Sequence, residues 1–324
     1  MDAADEVFDV KRHLKIATRA SKLAMAQAES VGRMLQQLLP DCFITFEAVS
    51  TKGDRDPSDF LYKSESVGYF TSEVEQALLD GRADLAVHSL KDLPTAPTKG
   101  LTIAAVPPRE SACDVIAAQK NLDSLDDLPV GAVVGTSSLR RIAQLKAMRP
   151  DVDCRPLRGN IETRLKKVLS GQMTAAVVAQ AGLNRLGLEK AVSYILPADR
   201  FLPAPGQGAL AIQVRDDNRR LMDAVSVLDD ARTRIATQTE RRILAGLHGG
   251  CSIPLGAYCS IENGQACIRA VLLNPDGTGL IRKEQICPAE TALHAADMIV
   301  AQILQAGGKE ILDRLSRQNQ NDCR

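Results

Sequence analysis

The chain has 324 residues, 40 Lys+Arg against 40 Asp+Glu, 45% hydrophobic residues but only 3% aromatic ones, and no Trp. That length supports two or three domains with buried cores, and a balanced 25% charged fraction excludes an extended disordered chain. Zero net charge with so few rings excludes a general nucleic-acid binder and a base-stacking platform. The first ten residues are acidic (Asp2, Asp5, Glu6, Asp9) and lack the basic start and apolar run of a targeting segment. No apolar run reaches the roughly 18 residues that span a bilayer. A cytoplasmic protein with no membrane partner is therefore expected. The eight cysteines form no Cys-x-x-Cys pair and the four histidines are scattered, so no metal site is expected and most thiols should be free.

Strand and helix signals alternate from the start. The stretch from Leu14 to Thr18 reads as a strand, and Ser21 is placed to cap a helix that ends at Leu39, before Pro40. Phe43 to Val49 is strand-like, whereas residues 50–69 are polar and lack either period, a loop length that usually carries function. A helix is predicted from Thr71 to Asp80 with Gly81 as its stop, then strands from Asp84 to His88 and Leu101 to Val106. The same grammar restarts near Cys113. A buried-type strand, Ala132 to Val134, runs into Gly135-Thr136-Ser137-Ser138 and a helix to about Met148. Cys154 to Leu157, a helix from Ile161 to Leu169 and a strand from Ala175 to Ala179 follow. Phe201 to Gly208 is rich in Pro and Gly and reads as a boundary, after which Ala209 to Val214 is a strand that can return to the first domain. From Ala231 come a long helix to Leu247, a Gly-Gly-Cys turn, two or three strands to Leu273, and a helix from Ala289 to about Gln305. This alternation implies largely parallel sheets in two α/β domains and a third, α+β domain.

Three stretches carry chemistry. In Gly135 to Arg141, a glycine turn after a buried strand, three hydroxyls (Thr136, Ser137, Ser138) and a helix start make an anion site. Arg140 and Arg141 add guanidinium forks that match carboxylate or phosphate. The same residues also fit an ordinary Ser-capped helix with two solvated arginines. From Gly135 to Arg185, ten cations face three anions, a surplus of seven in a chain whose total is zero. Arg158-Gly159-Asn160 opens the next strand–helix turn, with Arg164 one turn on, and Thr18-Arg19-Ala20-Ser21 forms a similar mouth in the first domain. Ligands in such sheets bind beyond the carboxyl ends of the strands, so a polyanionic ligand between two domains is expected. In His88 to Pro94, Asp92 beside Lys91 follows a buried strand and suits a general acid or base. It equally suits a turn cap before Pro94. In Leu247 to Pro254, two glycines leave the thiol of Cys251 on an uncluttered loop. His248 is too close in the chain to make a convincing Cys–His pair, and a buried, inert cysteine fits as well.

In this order the stretches resemble hydroxymethylbilane synthase, also called porphobilinogen deaminase. The resemblance spans nearly the whole chain. It rests on Ile16-Ala17-Thr18-Arg19 with Ser21, His88 to Pro94, Gly135 to Arg141, Leu157 to Asn160 with Thr163-Arg164, Ala181-Gly182-Leu183 with Arg185, Pro205-Gly206-Gln207-Gly208, and Gly249-Gly250-Cys251 with Pro254. It implies two periplasmic-binding-protein-like α/β domains (residues 11–107 with about 208–228, and 110–202) and a smaller α+β domain (231–324). It also implies a dipyrromethane cofactor, held by a thioether to Cys251, onto which four porphobilinogen units are condensed with loss of ammonia. Asp92 matches the catalytic aspartate, which assists loss of the amino group and stabilises the cationic azafulvene. Lys91, Thr136, Ser137, Ser138, Arg140 and Arg141 match positions that hold the cofactor, and Arg19, Ser21, Arg158, Arg164 and Arg185 match positions that hold the acetate and propionate arms of the substrate. A monomer that passes its product to a uroporphyrinogen III synthase is implied as well. One departure stands out: Val67 and Ser72 occupy places where the family carries loop lysines, for which Lys63 partly substitutes. Two competing readings lack such support. A non-catalytic two-lobed anion-binding protein fits the fold alone, and a nucleotide-using enzyme would need a Gly-x-x-x-x-Gly-Lys-Ser/Thr or Gly-x-Gly-x-x-Gly run, which the chain does not contain.

Overall fold

The computed structural model describes residues 13–51, 71–247 and 253–322. In chain order the first elements are β1 (His13–Arg19), α1 (Lys22–Leu38), β2 (Phe43–Val49), α2 (Ser72–Leu79), β3 (Leu85–Ser89) and β4 (Leu101–Ala105). Next come β5 (Asp114–Ala118), β6 (Val133–Gly135), α3 (Leu139–Met148), β7 (Asp153–Arg155), α4 (Ile161–Leu169), β8 (Ala175–Ala179), α5 (Gln180–Arg185) and β9 (Tyr194–Leu196). The chain continues through β10 (Leu210–Arg215), α6 (Arg219–Ser226), α7 (Ala231–Gly246), β11 (Leu255–Glu262), β12 (Gln265–Leu272), β13 (Ile281–Pro288), α8 (Ala292–Ile303) and α9 (Lys309–Asp322).

Two compact units result, one from described residues 13–51, 71–109 and Ala209–Arg234, the other from Glu110–Gly208 and Ile235–Arg324. The first unit holds a five-stranded sheet in the order β2-β1-β3-β10-β4. Strands β1, β2 and β3 run parallel, and β10 is antiparallel to both β3 and β4. The second unit repeats that pattern as β7-β6-β8-β5-β9, with β5 the antiparallel strand. In each sheet four strands thus point one way and one runs against them, and the strand after the boundary segment does return to the first sheet. The second unit also contains an antiparallel sheet, β11-β12-β13.

Local sequence explains the main elements. The side chain of Ser21 accepts from the backbone N–H of Ala24 and caps α1. The apolar stripe of α1 (Ala28, Val31, Leu35) packs on Leu14, Ile16, Leu85 and Ile212 of the sheet. Asn160 caps α4 through the N–H of Thr163. Ile243, Leu255, Ile268, Ile299 and Ile303 form the core between the antiparallel sheet and its helices. The last helical stretch differs from expectation. It runs to Ile303, kinks at Gly307 (φ 100°) and resumes as α9. Among the described residues no helix is long and apolar enough to cross a membrane.

Candidate active site

The parallel strands of each unit end in a mouth, and the predicted site residues of the described chain fall on these two edges. In the first unit, β1 ends at Arg19 and is followed by the capping Ser21, while β3 runs into a short 3-10 turn, Leu90–Asp92. Arg19, Ser21, Lys91 and Asp92 are all half-buried. Ser89 exchanges hydrogen bonds with the Gln27 side chain at 2.9 and 3.1 Å, which ties the end of β3 to α1. The N–H of Leu90 donates to the Ala209 carbonyl at 3.0 Å and extends the pairing of β3 with β10. The turn bearing Lys91 and Asp92 is therefore held by its backbone. The Asp92 carboxylate makes no hydrogen bond or ion pair among the described residues.

Below that turn lies a buried polar chain. Gln213 donates from Nε2 to Glu75 at 2.8 Å, so its Oε1 is the acceptor for His88 Nε2 at 3.1 Å. Nε2 of His88 therefore carries a proton. Burial pushes the His88 imidazole down to about 4, against a smaller upward effect of the Gln213 bond. Glu75 accepts in turn from the Thr98 hydroxyl at 2.9 Å.

The mouth of the second unit is built differently. Gly135 ends β6 where a Cβ would lie 2.7 Å from Leu157 Cδ2, so any larger residue there would have to displace the buried Leu157 side chain. The Ser137 hydroxyl donates to the Leu157 carbonyl at 3.1 Å and accepts from its N–H at 3.0 Å, so this predicted ligand contact also fixes the turn that carries Arg158. Thr136 is buried and its hydroxyl accepts from the Ser138 N–H at 3.3 Å, whereas Ser138 opens α3 with no side-chain capping bond. Arg158 and Arg164 are half-buried, and Arg164 Nε donates to the Gly159 carbonyl at 2.9 Å.

Three of the predicted contacts are turned inward. Arg140 and Arg141 are only 5% and 7% exposed, and both are paired with the fully buried Asp114 at 2.7 and 2.6 Å. Arg185 donates to the Gly208 carbonyl at 2.7 Å. Gly208 has φ +88°, and a Cβ there would stand 2.4 Å from the Glu110 carbonyl oxygen. The arginine-rich segment thus supplies structure as well as charge, because a buried guanidinium needs acceptors for its five donors.

Cys251, His248, Lys63 and Val67 lie outside the described residues. Ser72 is exposed at the start of α2 and donates to Glu73 at 3.0 Å. The elements flanking Cys251 are tied together by a residue that sequence reading missed. Glu240 of α7 is fully buried, and accepts from the N–H of Gly206 at 2.7 Å and of Cys259 in β11 at 2.9 Å. Asp114 and Gln144 were missed as well. Gln144 clamps Leu202 through both its amide atoms, at 2.9 and 2.7 Å. A surplus of seven cations in one segment was the signal that a buried counter-charge had to come from elsewhere. Among the described residues no cluster of three His, Cys, Asp or Glu is placed to hold a metal ion.

Residues 14–223 match the family model described as porphobilinogen deaminase, dipyromethane cofactor binding domain, and residues 235–304 match the C-terminal domain of the same family. The chain belongs to the porphobilinogen deaminase family. The porphobilinogen deaminase of Maridesulfovibrio salexigens is 45% identical over 304 residues, covering 94% of this chain and 98% of its own. That of Desulforudis audaxviator is 42% identical over 306 residues, with 94% and 99% coverage. Among solved structures, that of the methionine binding protein MetQ covers 69% of this chain and 92% of its own at 13% identity and a TM-score of 0.43, a likeness too faint to bear on function. As a member of that family the chain is a transferase of tetrapyrrole synthesis that works on a dipyrromethane cofactor. The donor set suits that group. Two pyrrole rings, each with an acetate and a propionate, present four carboxylates, and guanidinium forks, an ammonium and hydroxyls at strand ends are the partners such arms require.

Proposed function

We propose that the chain condenses four porphobilinogen molecules head to tail and releases hydroxymethylbilane, with Asp92 as the catalytic group. The observation that carries this reading is a carboxylate with no partner among the described residues, at the carboxyl end of a central strand, in a chain matched to the family over nearly its whole length. When bound, the dipyrromethane supplies the acceptor pyrrole on which the product is built. In each addition the bond between the side-arm methylene and nitrogen of porphobilinogen breaks and ammonia leaves. The bound dipyrromethane would supply the pyrrole carbon to which the methylene joins, with Asp92 taking up the proton that this carbon would lose. After four additions water cleaves the product from the enzyme.

Asp92 acts on both sides of that exchange. Its carboxylate stabilises the positive charge left when ammonia departs, and then accepts the proton released from the acceptor carbon. Lys91 beside it, with Arg19 and Ser21 in the same unit, and Arg158 and Arg164 in the other, hold acetate and propionate arms. Cys251 holds the dipyrromethane by a thioether. We assign residues 11–107 with 208–228, 110–202 and 231–324 to three domains. Residues 110–202 and 235–324 lie in one compact unit, whereas Ala231–Arg234 fall in the other, and Ala143, Leu202, Val271 and Leu273 pack together. Among the described residues no cysteine is joined in a disulfide, which supports a reducing, cytoplasmic setting. In this setting the enzyme acts as a monomer that hands its product to a uroporphyrinogen III synthase.

Intact mass tests the reading directly. The purified chain is expected to be heavier than its sequence by two linked pyrrole units, and Cys251→Ala is expected to lack the excess and to release no ammonia from porphobilinogen. Unmodified wild-type protein that ignores porphobilinogen would leave a non-catalytic anion-binding protein in its place.

A further inference from the structure

The most cationic stretch of the chain is organised around one carboxylate that belongs to none of the motifs read from the sequence. Asp114 opens β5, the antiparallel strand of the second sheet, and pairs in register with Ala179 at the carboxyl end of β8. Because β5 runs against its neighbours, its first residue stands at the edge where β6, β7 and β8 end. A side chain there is aimed at the ligand-facing edge although it begins a strand.

Asp114 is 0% exposed. Its Oδ1 accepts from Nε and Nη2 of Arg141 at 3.1 and 2.6 Å, and from Nε2 of Gln207 at 3.0 Å. Its Oδ2 accepts from Nη1 of Arg140 at 2.7 Å. Burial alone would raise this carboxyl, but the charges and hydrogen bonds of Arg140 and Arg141 outweigh it and hold the group below the usual carboxylate range.

The two arginines are engaged unequally. Arg141 commits Nε and Nη2 to Asp114 and Nη1 to the Val177 carbonyl at 3.0 Å. Arg140 commits only Nη1, to Asp114 and to the Leu202 carbonyl at 2.8 Å, while its guanidinium lies 5.9 Å from the Phe201 ring centre. Its Nε and Nη2 make no hydrogen bond among the described residues. One negative charge against two positive ones leaves a single cationic charge in a nearly dry place at the head of α3. Such a charge is stable only with a further anionic or polar partner.

We propose that Asp114 is a positioning residue for substrate binding: it immobilises Arg141 and holds Arg140 by one nitrogen, so that the open donors and the uncompensated charge of Arg140 meet a carboxylate of the ligand. Gln207, bound to the same carboxylate and to the Ala112 carbonyl at 2.8 Å, brings the Pro-Gly segment before Gly208 under the same control. This rests on the substrate reading above. Removing the charge of Asp114 frees two guanidiniums to find other partners, which weakens capture of the carboxylate arms more than it slows the chemistry at Asp92.

The test is steady-state kinetics with porphobilinogen, intact mass and thermal unfolding for wild type, Asp114→Asn, Asp114→Glu and the double variant Asp114→Asn with Arg141→Met. Asp114→Asn is expected to raise KM at least about tenfold with kcat of the cofactor-loaded fraction within about threefold, and to lower the fraction that carries the added mass. Asp114→Glu, which keeps the charge, is expected to fall between it and wild type. The double variant is expected to be no worse in KM than Asp114→Asn alone, because the two residues act as one unit. If Asp114→Asn does not fold, Asp114→Glu decides by the same KM shift at a retained melting temperature. A melting temperature that falls while KM stays within twofold overturns the proposal, and so does failure of both single variants to fold, since either assigns Asp114 to stability alone. Wild-type protein without added mass or turnover sinks the substrate reading instead, which keeps the two failures distinct.

Discussion

Asp92 and Asp114 stand at the carboxyl ends of the parallel strands in two sheets with the same pattern of strand directions, yet their surroundings are opposite. Asp92 follows a parallel strand, is half-buried and has no partner among the described residues. Asp114 begins the antiparallel strand, is fully buried and shares its two oxygens among Arg140, Arg141 and Gln207. A carboxylate whose two oxygens are taken up by two guanidiniums is held ionised and has little room for a substrate, whereas one without such partners leaves its oxygens open to a reacting group. The difference teaches that position on the edge selects candidates, and the partners of each side chain separate a carboxylate that is open from one that is committed. The two sheet ends also differ in their polar groups: the first carries a carboxylate without a partner among the described residues on a backbone held by Ala209, and the second buries a carboxylate between two guanidiniums.

The largest effect should come from Asp92. Asp92→Asn keeps size and shape but cannot accept the proton, so kcat for ammonia release is expected to fall by about 10² to 10⁴ with KM little changed. Near-normal release would erase the contrast between the two aspartates.

The support beneath Asp92 gives the next effect. His88 resists protonation in the folded chain, with its value moved from 6.5 to about 4. The unfolded chain binds that proton first, so the stabilisation is complete above about pH 6.5 and is lost as pH falls toward 4. Its size is about 3 kcal/mol from the shift. Denaturant titrations from pH 7.5 to 4.5 are expected to show this slope in wild type and a flatter one in His88→Gln. Equal slopes would mean that the His88–Gln213–Glu75 chain does not govern the first mouth.

The smallest effect concerns the second mouth. Ser137→Ala removes both bonds to Leu157 and is expected to lower stability by about 1–2 kcal/mol, read as a lower denaturant midpoint. An unchanged midpoint would show that the Arg158 turn is held by something other than this hydroxyl.

Much of the fold was legible in the chain because it is encoded locally. Phe43–Val49, Ile161–Leu169 and Ala175–Ala179 appear with the predicted ends, and Ser21 caps α1 as its position implied. Elements without a local signature were not. The strand β13 reads Ile-Arg-Lys-Glu-Gln-Ile-Cys-Pro and takes its place at the sheet edge by pairing with β12. The helix α9 follows Gly307-Gly308, which reads as a stop, and α6 is too polar to stand out. The three-residue β9 exists only by pairing with β5.

For the site, the sequence by itself determined the chemistry on offer: a carboxylate after a buried strand, hydroxyls and a helix start after another, and seven arginines between Gly135 and Arg185. Those follow from residue type and spacing, which act over a few residues. Only the tertiary structure decided which cations face inward. Asp114 lies 26 residues before Arg140 and 93 before Gln207, and no local rule joins them. The pairing arises because an antiparallel strand carries its first residue to the edge where its parallel neighbours end, and a charge buried there must find its counter-charge from whatever part of the chain the sheet brings alongside.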